Sequence, residues 1–475
     1  MISTRRAVVA AAPGLLLAGR AAAAQGLVLN DASGLNPTPV AVSVAVGTGA
    51  ARLAGLRREL KAAADARRPV AIGGARHSMG GQSLARLGSA LTLDAAGPEV
   101  DSRAGVYRVD AGLRWRDVIA VLAPLGFSPK VMQSNHDFSI GGTFSVNAHG
   151  WPAPFGPMGS TVRAVRIMLA DGTVVEASRQ AQPELFALAM GGYGLFGVIL
   201  DLDVEMTANV ALTPEFALTP APDLAGRFTA AVAAPSTISM AYARLSVARD
   251  HFLEEALLVT YRPLDEPPPK RRTGTGPSVL DGLTRSVYRS QVGSEPMKSA
   301  RWYAETVLAP KLHPRVVSRS ALLDTPVSDL ASKDRRRTDI LHEYFLPPQR
   351  LEAFLAACRR AIPDSGIELL NVTLRYLAPD TTSVMRFARG PRIAAVMSFS
   401  QLKTGAAEQA MAALTSTLVD AAIGQGGSYY LPYRLHAGPD QLRRAYPETD
   451  AFAAAKRRFD PGLLFRNALW DRYLA

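Results

Sequence analysis

The run Pro69-Val70-Ala71-Ile72-Gly73-Gly74-Ala75-Arg76-His77-Ser78-Met79-Gly80-Gly81-Gln82-Ser83 constrains this chain more than any other stretch. A short β-like apolar segment opens there into a glycine-rich loop that carries one histidine. Glycine reaches positive φ and lets backbone approach a ligand closely, so successive N–H groups can converge on an anion such as a pyrophosphate. His77 then stands where a ring nitrogen meets that ligand. For the loop alone, an ordinary glycine turn with a solvated histidine is the competing reading. Two further glycine-rich stretches, 139–150 and 191–197, strengthen the first reading, because a large planar cofactor needs several walls lined by backbone.

Gly192-Tyr193-Gly194-Leu195-Phe196-Gly197 has the spacing G-x-G-x-x-G. A dinucleotide fingerprint needs a strand before these glycines and a helix after them, which brings a pyrophosphate to the helix N-terminus. Here a helix-like Pro183–Met190 precedes and an alternating strand, Val198 to Met206, follows. The glycines therefore let a turn lie against a flat ligand, and a nicotinamide cofactor is not expected.

Elsewhere the pattern is mixed. Pro39–Val44, Pro69–Gly74, Leu91–Asp94 and Tyr107–Asp110 read as strands, and residues 51–67 and Trp115–Leu125 as helices. Val162–Leu169 and Thr173–Ala177 form a hairpin at Asp171-Gly172. The fold class is α+β. At 475 residues, two or three domains are expected. Leu264 to Pro277, rich in Pro, Gly and Lys/Arg, reads as a long flexible loop.

The net charge is +12, but the basic residues are scattered. Lys270-Arg271-Arg272 and Arg335-Arg336-Arg337 read as solvated loops, and with no nucleic-acid module beside them no nucleic-acid partner is expected. The single cysteine, Cys358, excludes an internal disulfide and falls in a helical pattern as a small buried hydrophobe. No His/Cys/Asp spacing suggests a metal. Residues 1–24, with Arg5-Arg6, a short apolar run and Ala21–Ala24, resemble a twin-arginine export signal. The uncharged run from Ala7 to Gly19 is too short to span a bilayer, so the mature chain is expected in the periplasm or secreted, with no transmembrane helix.

Three segments carry a specific resemblance: Gly73-Gly74-Ala75-Arg76-His77-Ser78; Ser139-Ile140-Gly141-Gly142 with Asn147-Ala148-His149-Gly150; and Gly194-Leu195-Phe196-Gly197-Val198-Ile199. They resemble the FAD-binding domain of the vanillyl-alcohol oxidase and p-cresol methylhydroxylase superfamily. Arg458-Phe459-Asp460-Pro461 through Phe465-Arg466-Asn467 is similar to the closing segment of its sugar-lactone and alditol oxidase branch. The resemblance implies a two-subdomain FAD-binding domain of the PCMH type over 25–210, an α+β substrate or cap domain over 211–425, and a segment 426–475 that returns to the FAD domain. It assigns the cofactor to Gly73, Gly74, Arg76, His77, Ser78, Gly141, Gly142, His149, Gly194, Gly197, Val198 and Ile199. In that superfamily the histidine matching His77 is often bonded to the flavin 8α-methyl, although some relatives bind FAD without the bond. A second link through cysteine does not carry over to Cys358.

His342-Glu343-Tyr344-Phe345-Leu346-Pro347 and Val372-Thr373-Leu374-Arg375 look like segments that line the flavin face in alditol-oxidase-like enzymes. Arg375 matches an arginine that contacts the reacting hydroxyl there, while the family's neighbouring glutamate is replaced by Thr373. Hydride transfer from C–H to flavin N5 needs the hydroxyl proton removed or the developing charge stabilised. Glu343 suits a base, or equally a strand-end salt bridge. His149 is expected to pack against the cofactor. Tyr429, Tyr430, Tyr433 and Arg434 lead to His436, either as a return to the flavin or as a buried tyrosine cluster; His136 is a further polar candidate, and His251 and His313 lack context. The catalytic candidates are thus Arg375, Glu343 and His436. The expected activity is oxidation of a CH–OH group in a sugar, sugar lactone or polyol-like alcohol, with O2, a quinone or a cytochrome as acceptor. A non-catalytic flavin-binding or surface-binding protein is the alternative.

Overall fold

The computed structural model describes residues 27–233, 237–269, 286–326 and 334–475; the expected export signal, Lys270-Arg271-Arg272 and residues 270–277 of the expected long loop lie outside them. Val42–Val46, Val70–Ile72 and Ser89–Leu93 are short apolar strands, and between the first two runs the helix Gly49–Asp65. Leu56, Leu60 and Ala63 on one side of that helix are buried, so it packs back on the sheet and returns the chain for parallel pairing. Ser89–Leu93 lies in the centre, and the glycine loop leaves the carboxyl end of Val70–Ile72. The strand expected from Pro39 begins only at Val42; Thr38–Pro39 pairs instead with Val28–Leu29.

A second, antiparallel sheet orders Val174–Ser178, Val162–Met168, Val198–Ala208, Val106–Asp110 and Glu99–Asp101, with Phe127–Pro129 also paired to Val198–Ala208. The expected hairpin is present, with Gly172 at φ 83°. The G-x-G-x-x-G glycines feed a strand, as anticipated. Gly197 has φ 144°, and a Cβ there would lie 2.6 Å from Met168 O, so the crossing admits only glycine.

The third sheet has eight antiparallel strands among the described residues: Val317–Ser318, Ala211–Pro220, Glu255–Pro263, Met240–Leu245, Glu368–Leu377, Arg392–Leu402, Arg337–Leu346 and Ser428–Tyr429, in that spatial order. The helices Ala221–Val232, Leu351–Asp364 and Gly405–Gly424 cover one face and leave the other towards the glycine loops. Cys358 is fully buried in Leu351–Asp364, as its pattern suggested. One continuous apolar core joins the sheets. Among the described residues no helix is long and apolar enough to cross a membrane.

The chain leaves the large sheet after Ser428–Tyr429 and ends against the small one. Val70 N donates to Leu464 O at 2.7 Å and Arg466 N donates to Val70 O at 3.0 Å, a parallel bridge that extends the sheet edge. Asp460 fixes this segment: its carboxylate accepts from Leu464 N at 3.0 Å and Phe465 N at 2.8 Å and pairs with the buried Lys456. Burial pushes the Lys456 amine down to about 8, with Asp460 opposing. Asp460→Ala would strip that ammonium of its partner and two amides of their acceptor, so a loss of about 3–5 kcal/mol is expected, read as a lower urea midpoint at unchanged slope.

Candidate active site

A cavity of about 1250 Å³ lies between the glycine loops and the open face of the eight-stranded sheet. Ordinary small-molecule pockets hold roughly 300–1,000 Å³, so this one has room for a cofactor of dinucleotide size and a substrate. Of the residues expected from sequence, Gly73, Gly74, Arg76, His77, Ser78, Gly141, Gly142, His149, Gly194, Gly197, Ile199, Glu343 and Arg375 line it.

The loop is held at its ends. Gly73 N donates to Leu91 O and Met79 N to Pro432 O, both at 2.8 Å, whereas the amides of residues 74–78 donate to no group among the described residues. Residues 74–78 are half-buried on the cavity wall, and a row of unpaired donors there fits an anion. A Cβ on Gly74 would overlap Ser139 Oγ, which shows how tightly the loop packs on the next glycine stretch. Arg76 Nε, Ser83 Oγ and Ser134 Oγ also face the cavity, buried and unpartnered among the described residues. These groups suit the phosphates and polar edges of a flavin dinucleotide. The His77 ring packs on Phe138 with centroids 4.3 Å apart. Burial, then Arg114, pushes its pKa below the ordinary 6.5, which keeps a neutral ring nitrogen at pH 7.

Residues 139–150 are more ordered than a glycine loop. Ser139 caps a short helix, Ile140–Ser145, and Asn147, at φ 48°, accepts from Gly159 N at 2.9 Å and donates to Asp380 at 2.8 Å. The serine directly before Ile140 was the signal for this helix.

The opposite wall follows from the two-residue period of strands. Asn371, Thr373 and Arg375 on Glu368–Leu377, Arg244 on Met240–Leu245, and Leu341 and Glu343 on Arg337–Leu346 all face the cavity. Glu343 sits well inside its strand, not at the end. It is buried, its Oε1 is bonded to His149 Nε2, and its Oε2 accepts from Tyr433 OH at 3.3 Å. Arg375 donates to His149 O at 3.3 Å and its Nε has no partner among the described residues. Burial lowers the Arg375 pKa while Glu343 opposes the shift; burial and Glu343 together raise that of Tyr433, which stays a neutral donor. A carboxylate, an imidazole and a guanidinium thus converge where acid–base chemistry and oxyanion stabilisation are both available. His149 does more than pack: it bonds the carboxylate directly. Tyr430 also lines the cavity, its hydroxyl donating to Val146 O at 2.8 Å.

Two expected site residues lie elsewhere. Val198 is fully buried in the core beside Met168; strand alternation turns it away and leaves Gly197 and Ile199 on the cavity. His436 does not line the cavity. It bonds Glu408 at 2.8 Å and Thr415 at 3.1 Å, on the helix side of the sheet, and borders a separate depression of about 400 Å³. Thr415 also bonds His342 at 3.2 Å, which alternation places opposite its neighbour Glu343. Burial alone would raise the Glu408 pKa, but hydrogen bonds from His436, Arg434 and Gln401 outweigh it and bring it to about 2, marking a structural ion cluster. His136 bonds Asp324 at 2.7 Å. Conversely, His313 and Arg337, read from sequence as contextless and as solvated, line the cavity; Arg337 begins a strand and donates to Ser400 Oγ at 3.0 Å. Arg244, Arg301 and Glu305 also line it, with no local motif to reveal them.

Residues 50–178 match the family described as the FAD binding domain. This part of the chain is therefore an FAD-binding domain of the PCMH type, and FAD is its cofactor. Among curated proteins, the chain is 33% identical over 140 residues to an uncharacterized oxidoreductase of the fasciation locus of Rhodococcoides fascians, covering 29% of this chain and 32% of that protein. It is 30% identical over 111 residues to the mitochondrial L-galactono-1,4-lactone dehydrogenase of Arabidopsis thaliana, covering 23% and 18%. Cytokinin dehydrogenase 2 of the same plant is 33% identical over 132 residues, covering 27% and 26%. The chain thus spans a third or less of the length of each of these relatives.

Proposed function

We propose that this chain is an FAD-dependent oxidoreductase that oxidises a CH–OH group of a small alcohol of the sugar, sugar-lactone or polyol kind. The observation that carries the reading is the single cavity in which Arg375 and Glu343 face the glycine loops of the FAD-binding domain. The oxidoreductase and dehydrogenase names of its relatives point the same way. Bound FAD supplies a hydride acceptor at flavin N5. Around it, Arg375 holds the reacting oxygen and stabilises its developing negative charge, Glu343 accepts the hydroxyl proton, and His149 shares it through the Glu343 hydrogen bond. Tyr433 steadies the second carboxylate oxygen. The electrons then pass to O2, a quinone or a cytochrome. His77, neutral and within the glycine loop, is the proposed point of covalent attachment, and export by the twin-arginine route to the periplasm or beyond is the proposed destination.

An anaerobic screen of alcohols, lactones and polyols tests the activity directly; a flavin that none of them bleaches would make the chain a flavin binder. Arg375→Met should keep FAD and a near-normal spectrum yet lose about 2–4 kcal/mol of transition-state stabilisation, which is roughly 30- to 1,000-fold in the rate of flavin reduction. Reduction at the wild-type rate would remove Arg375 from the chemistry. After acid precipitation of the loaded protein, yellow fluorescence should remain on the polypeptide band and disappear in His77→Ala; flavin found wholly in the supernatant would exclude the covalent bond. Replacing Arg5 and Arg6 together by Lys should hold the precursor in the cytoplasm, and unimpaired export would argue for another route.

A further inference from the structure

The charges in the substrate end of the cavity do not balance. Arg244, Arg301 and Arg375 line it against Glu305 and Glu343. Arg301 is fully engaged, with Glu305 at 2.7 Å, Leu370 O at 2.6 Å and Asn371 Oδ1 at 2.9 Å. Glu343 is committed to His149 and Tyr433. Arg244 and Arg375 are left without a salt bridge among the described residues; the Glu343 charge acts on Arg375 from beyond ion-pair distance, and one positive charge remains in excess. Among the described residues Arg244 donates to neutral acceptors, Asn371 Oδ1 and Thr373 Oγ1, each at 2.6 Å, while Glu305 acts on it only at longer range. Arg375 has the one 3.3 Å bond to a carbonyl.

Two guanidiniums that repel each other on one cavity wall, one of them buried, are a costly arrangement unless an anion joins them. Arg244 stands opposite Thr373 across the sheet, and Arg375 is two residues further along that strand. Such diagonal neighbours lie about 7–8 Å apart at the backbone, so both side chains reach adjacent atoms of one small molecule. Thr373 stands between them, at the position where a carboxylate would cancel the excess charge. Trp151 adds a donor: its Nε1 is buried and unpartnered among the described residues, and its ring stacks on Tyr242, over which Arg244 lies at 5.7 Å.

Resting on the oxidoreductase reading above, we infer that the substrate bears a carboxylate on the carbon next to the oxidised hydroxyl, making it a 2-hydroxy acid whose carboxylate binds Arg244 and whose hydroxyl oxygen binds Arg375. Guanidinium–carboxylate pairing of this kind is bidentate and specific. The C2 hydrogen leaves as hydride to the oxidised flavin, the hydroxyl proton goes to Glu343, and the C2–O bond becomes a carbonyl. A 2-oxo acid is released, and the two electrons leave the flavin to O2 or a quinone, or one at a time to two cytochrome haems.

The test compares matched pairs with the FAD-loaded protein under anaerobic conditions: gluconate with sorbitol, and lactate with propane-1,2-diol. At least one acid should bleach the flavin at a concentration ten-fold or more below its neutral partner. Oxalate, which cannot be oxidised this way, should shift the flavin absorption on binding. Arg244→Met should weaken oxalate at least ten-fold at unchanged FAD content, with Arg244→Lys recovering part of it. Thr373→Glu, which removes no arginine, should also weaken oxalate by supplying the missing carboxylate. Reduction by neutral partners alone, with no oxalate shift, would overturn the acid substrate and leave the oxidoreductase reading standing. Reduction by none of these compounds or by any alcohol in the wider screen would overturn both.

Discussion

The contact on which the cofactor domain depends is the grip of Asp460 on the backbone of residues 464–465. One buried carboxylate turns the chain, neutralises Lys456 and presents Leu464–Arg466 to Val70 as a further length of parallel sheet. Val70 begins the strand from which the glycine loop springs. Just beyond, Asn467 donates to Tyr193 O at 2.8 Å, so the same segment braces the turn that carries Gly194 and Gly197. Two of the three glycine-rich stretches that line the cavity thus share a single support.

The division of labour between sheets follows from what each can offer. The parallel sheet and its loops provide backbone donors, which suit phosphates because amides are fixed in direction and carry no titratable charge. The eight-stranded sheet provides side chains at alternate positions across several strands, which suits a substrate recognised by charge and hydrogen bonding. His149 joins the halves: it belongs to the second glycine stretch by sequence, yet its ring bonds Glu343 of the large sheet.

Local motifs made much of the cofactor side legible in the sequence. Gly73, Gly74, His77 and Gly197 could be read because a close backbone approach or an unusual φ demands glycine within a few residues. The hairpin at Gly172 and the rejection of a nicotinamide fingerprint at Gly192–Gly197 rested on equally short-range logic. The substrate side was less legible. His342 and Glu343 are neighbours on one strand and face opposite ways, and only the register against Arg392–Leu402 and the helix Gly405–Gly424 tells which side is which. Proximity in sequence to Tyr433 likewise pointed to His436, which the fold commits to Glu408. Arg244 entered the site through pairing with a strand more than a hundred residues away, a relation that no local pattern encodes.

The bridge between Val70 and Phe465 also sets an order of assembly. These partners are almost four hundred residues apart, so at ribosomal speeds of about 5–20 residues per second the earlier strand waits roughly 20–80 s for its neighbour. Until Phe465 is in place, the strand Val70–Ile72 that feeds the glycine loop is paired with Ser89–Leu93 alone among the described strands. Completion of the cavity wall that carries the glycine loop is thus tied to a segment far along the chain from the domain matched to FAD binding.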